Sequence, residues 1–544
     1  MAVMIVKENS RKKKSFARWQ TKSWGNAPAH EYSAEEFESI RSFSDSRGGF
    51  LIDDITWNDC SFDDIYLLVN NTVSSCGEDV LYSWMRHPVF HQEELDERNR
   101  LIEYFSSHQN ERSKVQFILA GVGRMRLMSF YNYICQLKEA KHLGKMKFIL
   151  VGVLTLAGII LLFIHPLAGL AVLVPALFIN LAVYLNMKDS TQGYIRSFQC
   201  VLRLMNGANA VARLSIPELS DYGERLKKSA DALASFRRGS FFVTSGGQVG
   251  TGLGDAVLEY LKMFFHIDLI KFDQMLDAYA GHEAECTEML QILGTLDAAI
   301  ACASFRKYLP QWCRGEFVPF DSGEVSFSVS EMYHPMISNP VANSIETTGG
   351  NLVTGSHASG KSTFLKNTAI CAVLAQSIDT VPAAAYRANF LRVFTSMALT
   401  DNLSKGESYF IVEIKSLKRI LDAASGENSP VLGIIDEVLR GTNTIERIAA
   451  SSQILKTLIK GNVLAFAATH DIELSYILEK LYTNWHFEEE VSDNDVVFNY
   501  QLKSGRAVSR NAIKLLGIAG YSPAIVEQAK EEAERFEKTG EWSL

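Results

Sequence analysis

At 544 residues the chain is too long for one ordinary domain and predicts roughly two to four. Its 47% apolar and 21% charged residues can bury large cores, which excludes global disorder, and 12 prolines leave little room for proline-rich linkers. The net charge of −8 excludes a molecule coated in basic surface for nucleic acid. The eight cysteines (Cys60, Cys76, Cys135, Cys200, Cys286, Cys302, Cys313 and Cys371) form no C-x-x-C pair, which argues against a disulfide framework or zinc ribbon and fits a reducing compartment.

Residues 1–45 read as a basic N-terminal tail. Within residues 1–25, Lys7, Arg11, Lys12, Lys13, Lys14, Arg18 and Lys22 face only Glu8, a local net of +6, so the remainder carries −14. No apolar run follows the basic cluster, so it is not a secretory signal. The plain reading is a solvated tail, with anionic lipid or nucleic acid as alternative contacts. Residues 46–147 read as helical, the first part of a lever-like core; Glu93–Phe105 shows apolar recurrence at three and four residues.

From Phe148 to Leu185 there are 38 residues without Asp, Glu, Lys or Arg. As one helix this run would extend about 57 Å, twice the hydrocarbon thickness of a bilayer. His165 and Pro166 offer a break that leaves Phe148–Ile164 and Leu167–Leu185, 17 and 19 residues long. Lys138, Lys141, Lys145 and Lys147 precede the run, and Lys188 and Arg196 follow it. The pattern predicts a transmembrane helical hairpin over 148–187, entering the lipid bilayer through residues 148–185, with both flanks cytoplasmic and the turn outside. The expected location is a multi-pass cytoplasmic membrane protein with both termini inside. A helical hairpin buried in a soluble core is the alternative, and the lack of any polar face counts against it. Residues 188–320 read as the second helical part, with Leu258–Leu293 as one amphipathic stretch.

Beyond residue 320 short apolar runs alternate with helical patterns. Asn351–Thr354, Val431–Asp436 and Val463–Thr469 read as buried strands, followed by helices near Ser362, Thr444 and Ile472. This texture predicts an α/β domain with a largely parallel sheet over 321–520, closed by a helical segment over 521–544. Gly355, Ser356, His357, Ala358, Ser359, Gly360, Lys361 and Ser362 fit the phosphate-loop pattern G-x-x-x-x-G-K-S/T, after a strand and before a helix. Glycines let backbone N–H groups approach phosphates, and the helix N-terminus adds its dipole. Lys361 would neutralise the β- and γ-phosphates of ATP, and Ser362 would place a hydroxyl on Mg²⁺. Asp436 and Glu437 end a strand 75 residues after Lys361. Asp436 would hold the metal, while Glu437 would orient and deprotonate the attacking water. His470 ends a third strand and would sense the γ-phosphate; a lone histidine there is otherwise structural.

Taken together, these residues resemble the MutS family of ABC-type ATPases, over roughly Met332 to Ala529 and more weakly through the helical region. The resemblance is carried by Val381, Pro382 and Ala383, by Ser404–Glu413 with Gly406, Ser408 and Phe410, by Asp436–Thr444, and by Ala468, Thr469 and His470. Tyr500–Ala529, with Gly505, Ser509 and the Gly517–Pro523 stretch, resembles the terminal segment that helps pair two ATPase domains. Thr56, Trp57, Asn58, Asn71, Thr72 and Gly77 resemble the entry into the family's lever region.

The resemblance implies an α/β ABC-type ATPase domain preceded by a mostly helical lever, working as a homodimer with ATP and Mg²⁺ between two copies. Gly355–Thr363, Thr363 included, would cradle the nucleotide, Ser362 and Asp436 would hold the metal, and Lys361, Glu437 and His470 would act in catalysis. Ser408 would reach the γ-phosphate from the other copy, and Arg440 to Thr444 would line the seam. His334 and Pro335 resemble the start of the domain, near the adenine, although no aromatic stacking partner is visible in Pro340–Ile345. Two features depart from the family. His357 and Ala358 stand where Asn-Met is common, and Glu407, Ser408 and Tyr409 replace Arg-Ser-Thr, with Lys405 to offset the Glu407 charge. Only about 45 residues precede the lever-like region, and the only Phe-x-Glu triplet, Phe487 to Glu489, lies inside the ATPase. No mismatch-reading wedge is therefore expected, and the chain resembles a membrane-associated MutS-like branch. By that analogy it clamps DNA through phosphate contacts; a membrane ATPase acting on protein or lipid is the alternative, and a non-hydrolysing scaffold a third.

Overall fold

The computed structural model describes residues 15–542, apart from 30, 126–127, 245–262, 321–324, 357–358, 398–408, 427–428, 440–441, 492–495, 508–512, 514–515 and 517–519. The N-terminal half is helical. Helix α1 (Ser75–Arg86) is started by Ser74, whose side chain accepts the Gly77 N–H, and is buried along its whole length. Helix α2 (Gln92–Ser107) follows, with Leu95, Leu101, Ile102 and Phe105 on its buried face.

The apolar run forms two helices, α3 (Lys145–Ile164) and α4 (Pro166–Ala212), joined at His165. Pro166 sits at the start of α4, where a missing N–H costs nothing. The sequence boundary at 187/188 does not exist as a break. Helix α4 runs unbroken for 47 residues, because a return of charged residues in the sequence does not interrupt the backbone hydrogen bonds of a helix. Inside the hairpin the Asn180 Nδ2 donates to Thr155 Oγ1 at 2.7 Å, and both residues are buried between the two helices.

A third helix, α5 (Glu283–Tyr308), is also long and apolar enough to cross a bilayer, yet 83% of its apolar window is buried inside the protein. The corresponding shares for the two hairpin helices are 22% and 17%. Composition alone does not separate them; packing does. Helix α5 is the axis of the helical core, in contact with α1, α2 and α4. The expected single stretch Leu258–Leu293 is interrupted: a helix over Ile267–Tyr279 ends before Gly281, at φ +82°, and α5 starts afresh at Glu283.

The C-terminal half carries two main sheets. Strands β1 (Gly315–Phe317), β2 (Ser326–Met332), β3 (Asn343–Thr348) and β5 (Ala385–Ala388) form a small sheet of order β1-β5-β2-β3. The α/β part thus begins at Gly315, a few residues before the expected boundary at 321. The larger sheet contains β4 (Gly350–Thr354), β6 (Arg392–Ser396), β7 (Val431–Asp436), β8 (Val463–Thr469), β9 (Tyr482–His486) and β12 (Lys503–Ser504), in the order β12-β9-β4-β8-β7-β6. All its pairings are parallel except β12 with β9. A short hairpin of β10 (Glu489–Val491) and β11 (Val496–Phe498) stands beside it.

Alternate residues of the central strands face opposite ways, as the pleat requires. Val353, Leu432, Ile434, Leu464 and Phe466 join one core with helix α6 (Lys361–Ile378), and that core is continuous with the helical half. Leu352, Val431, Ile435, Val463 and Ala465 join a second core under α7 (Tyr409–Ser425) and α8 (Thr444–Leu458). A terminal helix, α9 (Pro523–Thr539), closes the described chain.

Candidate active site

Strand β4 delivers the chain to residue 355, and α6 starts at Lys361. Two positions in the intervening loop admit only glycine. Gly360 has φ +107° and a Cβ there would lie 3.2 Å from the Tyr500 ring; a Cβ on Gly355 would lie 2.6 Å from the Phe487 carbonyl oxygen. The Lys361 Nζ donates to the carbonyls of Gly355 at 2.9 Å and Ser356 at 2.6 Å, folding the ammonium over its own loop. Burial lowers the Lys361 pKa, and the carboxylates of Asp436, Glu437 and Glu489 oppose that shift. The Ser356 hydroxyl donates to Glu489 Oε2 at 2.7 Å. The Ser359 hydroxyl is buried with no hydrogen-bond partner among the described residues, and it lines the cavity described below. Ser362 and Thr363 are exposed at the helix N-terminus. His357, Ala358, Ser408, Arg440 and Gly441 lie outside the described residues.

Asp436 ends β7, two strands from β4 across β8. Beyond it the backbone turns through left-handed residues, Glu437 at φ +59° and Leu439 at φ +58°. For side chains of this kind each such residue costs of order 1–3 kcal/mol and persists only where its surroundings fix it. Three hydrogen bonds do so: Glu437 N–H to the Ala468 carbonyl at 3.0 Å, Leu439 N–H to Glu413 Oε1 at 2.5 Å, and the Ser451 hydroxyl to the Val438 carbonyl at 3.2 Å. The turn brings Glu437 Oε1 to 2.8 Å from His470 Nε2. Asp471, the next residue in the chain, accepts from Nε and Nη2 of Arg447 on α8 at 2.8 and 2.6 Å. That pairing raises the Arg447 pKa. Asn443 accepts the Glu446 N–H at 3.0 Å and caps α8, so within the expected seam it has a structural task.

Lys361, Ser362, Thr363, Ser359, Gly360, Glu437 and His470 meet at one cavity of about 570 Å³. The same cavity is lined by His334, Ile337, Pro340, Val341 and Tyr500, whose ring lies beside Gly360. Burial lowers the His334 pKa, with Lys366 adding to the effect, so the ring is neutral and can face an uncharged base. The aromatic surface missing from Pro340–Ile345 is supplied by Tyr500, whose carbonyl accepts from Asn343 Nδ2 at 3.0 Å. Sequence reasoning met Tyr500 at the start of the terminal segment, Glu489 in the Phe-x-Glu triplet and Glu413 at the end of the Ser404–Glu413 element, and gave none of them a task at this site. No local pattern shows that Tyr500 and Glu489 reach the loop, from more than 100 residues away in sequence. The phosphate end suits an anion: an ammonium, an unpaired buried hydroxyl and a helix N-terminus converge there. Ser362 lines the cavity and Asp436, at the end of β7, is not among its lining residues; together they would offer oxygen donors of the kind Mg²⁺ prefers.

A cavity at the carboxyl ends of parallel strands, floored by a glycine-rich loop and flanked by a carboxylate–histidine pair, defines a nucleotide-site α/β domain docked on a helical arm. Comparison with known proteins finds likeness in this part of the chain. Residues 351–537 match the family model of MutS domain V. The DNA mismatch repair protein MutS 2 of Haloarcula marismortui is 38% identical over 185 residues, which cover 33% of this chain and 19% of that protein. The match therefore spans about a fifth of that relative's length. The likeness is thus to MutS domain V and lies within residues 351–537.

Proposed function

We propose that the chain is a membrane-tethered ATPase of the MutS type that binds and hydrolyses ATP between two copies of itself and uses the closure to clamp DNA. The observation carrying this reading is the convergence of Lys361, Glu437 and His470 on one cavity. Ser362 and Asp436 would hold magnesium, which would supply charge neutralisation at the phosphates. On nucleotide binding Lys361 exchanges the Gly355 and Ser356 carbonyls for phosphate oxygens. Glu437 orients a water and takes its proton, while His470 holds that carboxylate in position. Tyr500 and His334 receive the base.

The membrane tether rests on surface. Phe163 is 85% exposed, Leu167 79%, Ile164 75% and Phe178 70%, an apolar patch far beyond what a soluble surface leaves uncovered. Helix α3, at 20 residues, is about 30 Å long, matching the hydrocarbon core. The expected multi-pass cytoplasmic-membrane location follows from that tether. The relative's name describes DNA mismatch repair, and DNA as the clamped object rests on family likeness. A second reading, an ATPase working on protein or on the bilayer, is favoured by the unbroken run of α4 from the hairpin into the helical arm.

In detergent or lipid discs the chain should turn over ATP, and Glu437→Gln should slow it by about 100-fold or more while nucleotide still binds; equal rates would sink the catalytic assignment. DNA binding by several phosphate contacts should weaken steeply between low and moderate salt. No salt-sensitive binding to duplex, branched or mismatched DNA would end the clamp reading and favour the second. Recovery of the whole chain in a soluble fraction without detergent would remove the tether.

A further inference from the structure

We infer that Glu413 is a positioning residue for hydrolysis, which acts by holding the Leu439 N–H and so fixing the left-handed turn that presents Glu437. The inference rests on the proposed ATPase reading and adds a residue to it. Glu413 lies one turn into α7 and is 3% exposed. A carboxylate buried this deeply requires hydrogen-bond partners, and its Oε1 receives the Leu439 N–H at 2.5 Å. That amide lies two residues past Glu437. The contact therefore spans the turn in which both Glu437 and Leu439 hold positive φ. On the opposite side the turn is tied to β8 through Glu437 N–H and the Ala468 carbonyl at 3.0 Å. Ala468 stands two residues before His470, the partner of Glu437 Oε1 at 2.8 Å.

Glu413 and β8 thus hold the turn from opposite sides, with the Ser451 hydroxyl on the Val438 carbonyl at 3.2 Å between them, and of these only Glu413 receives an amide of a left-handed residue through its side chain. Without it the Leu439 amide is an orphan in a buried setting, and the strained turn is free to relax toward right-handed φ. Such a relaxation swings the Glu437 carboxylate away from His470. It does not disturb the Lys361 ammonium, whose hydrogen bonds go to the Gly355 and Ser356 carbonyls of its own loop, or the Ser356 contact to Glu489, none of which involves the turn. Chemistry should therefore suffer and nucleotide binding should not.

The test compares Glu413→Ala and Glu413→Gln with the unaltered full-length chain in detergent, using Mg²⁺-ATP. Glu413→Ala should lower kcat by about 30-fold with KM and nucleotide Kd within about twofold. Glu413→Gln keeps an oxygen acceptor for the amide and should recover turnover to within about threefold of the unaltered chain. In a Glu437→Gln background Glu413→Ala should cause no further loss, since it acts through that residue. Unchanged kcat in Glu413→Ala, a rise in KM alone, or a Glu413→Gln as slow as Glu413→Ala would each overturn the inference. If Glu413→Ala does not fold, hydrogen exchange of the peptide carrying Leu439 in the unaltered chain decides: protection supports the contact and free exchange overturns it. Absence of turnover in the unaltered chain would overturn the ATPase reading, and the exchange measurement, which needs no turnover, would still judge the Glu413 contact.

Discussion

Replacing Lys361 by Met tests the phosphate site most directly, because the free-state geometry allows the effect to be worked out. In the free chain the ammonium makes two charge-assisted bonds, to the Gly355 and Ser356 carbonyls at 2.9 and 2.6 Å. Bonds of this kind contribute roughly 1.5–3 kcal/mol each, so binding forfeits about 3–6 kcal/mol. In return it gains pairing with phosphate charge, about 4 kcal/mol per unit charge at 4 Å with an effective dielectric of 20, or about 8 kcal/mol for two charges. The difference is roughly 2–5 kcal/mol, which predicts a loss of affinity of at least about 30-fold in Lys361→Met. A pH dependence accompanies it. Burial places the Lys361 pKa below the ordinary lysine value, and phosphate in the cradle would raise it again. Above the free-state pKa, binding must take up a proton, so ATP affinity falls as pH rises into the alkaline range. Lys361→Arg, which stays charged, should remove that slope. Titration of a fluorescent ATP analogue between pH 7.5 and 10 measures both effects. Affinity of Lys361→Met within about threefold of the unaltered chain would refute the balance drawn here.

Three further outcomes follow from the geometry. Tyr500→Ala should weaken ATP by roughly 5- to 150-fold, the range of a base-stacking contact, while leaving tripolyphosphate affinity unchanged in a competition assay; equal losses for both would remove the base-stacking role. Asp59 Oδ2 accepts the Thr395 hydroxyl at 2.6 Å and the Met397 N–H at 2.9 Å, so Asp59→Ala orphans two buried donors and should destabilise the chain by about 2–4 kcal/mol in a denaturant titration. Asp297 is pushed up to about 7 by burial, against hydrogen bonds from Ser74 and Val73. Its stabilising protonated form is complete below the unfolded carboxylate value near 4 and is lost as pH rises through 7, a swing of up to about 4 kcal/mol. The thermal midpoint of Asp297→Asn should therefore gain on that of the unaltered chain between pH 4.5 and 8, and a constant difference would refute the assignment.

The strands that carry the site were legible because buried parallel strands are written as continuous apolar runs. Asn351–Thr354, Val431–Asp436 and Val463–Thr469 correspond to β4, β7 and β8, with one residue, Gly350, added at the start of β4. What was illegible depends on contacts between distant segments. Strand β1 pairs with β5 across about 70 residues and has only three residues of its own, too few for a periodic signal. The continuity of α4 was hidden because a return of charge at Lys188 marks the end of an apolar surface, which the hairpin reading equated with the end of a helix. The reverse ambiguity concerns α5, whose apolar composition resembles that of the hairpin and whose burial only tertiary packing discloses. At the site, Glu437 and His470 were identifiable from strand ends, whereas their mutual contact and the left-handed turn beneath it were not. A positive φ at a glutamate leaves no trace in the sequence.

Helix α6 gives the nucleotide site a physical route to the helical arm. At 18 residues it spans about 27 Å, with Lys361 at one end in the cavity. The last carbonyls of a helix lack partners within it, and here several are taken by the arm. Arg98 Nη1 donates to the Ser377 carbonyl at 2.5 Å, the Val89 N–H to the Gln376 carbonyl at 2.8 Å, and Arg306 Nη2 to the Asp379 carbonyl just beyond at 2.8 Å. Two of these donors are cations placed at the negative end of the helix dipole, so the arm holds the helix where it is electrostatically best held. Arg306 belongs to α5, and α5 packs on α4, which runs about 70 Å to the hairpin turn. Close-packed helices transmit displacement because they resist compression. Under the proposed function, a shift of α6 on phosphate binding would reach α4 through α5, and thermodynamic reciprocity then requires that anything restraining α4 acts back on nucleotide affinity. The Asp59 contacts to Thr395 and Met397 give the arm a second hold, on the end of β6. An arm fastened at two points can report rotation of the ATPase domain as well as its translation, which a single hinge could not do.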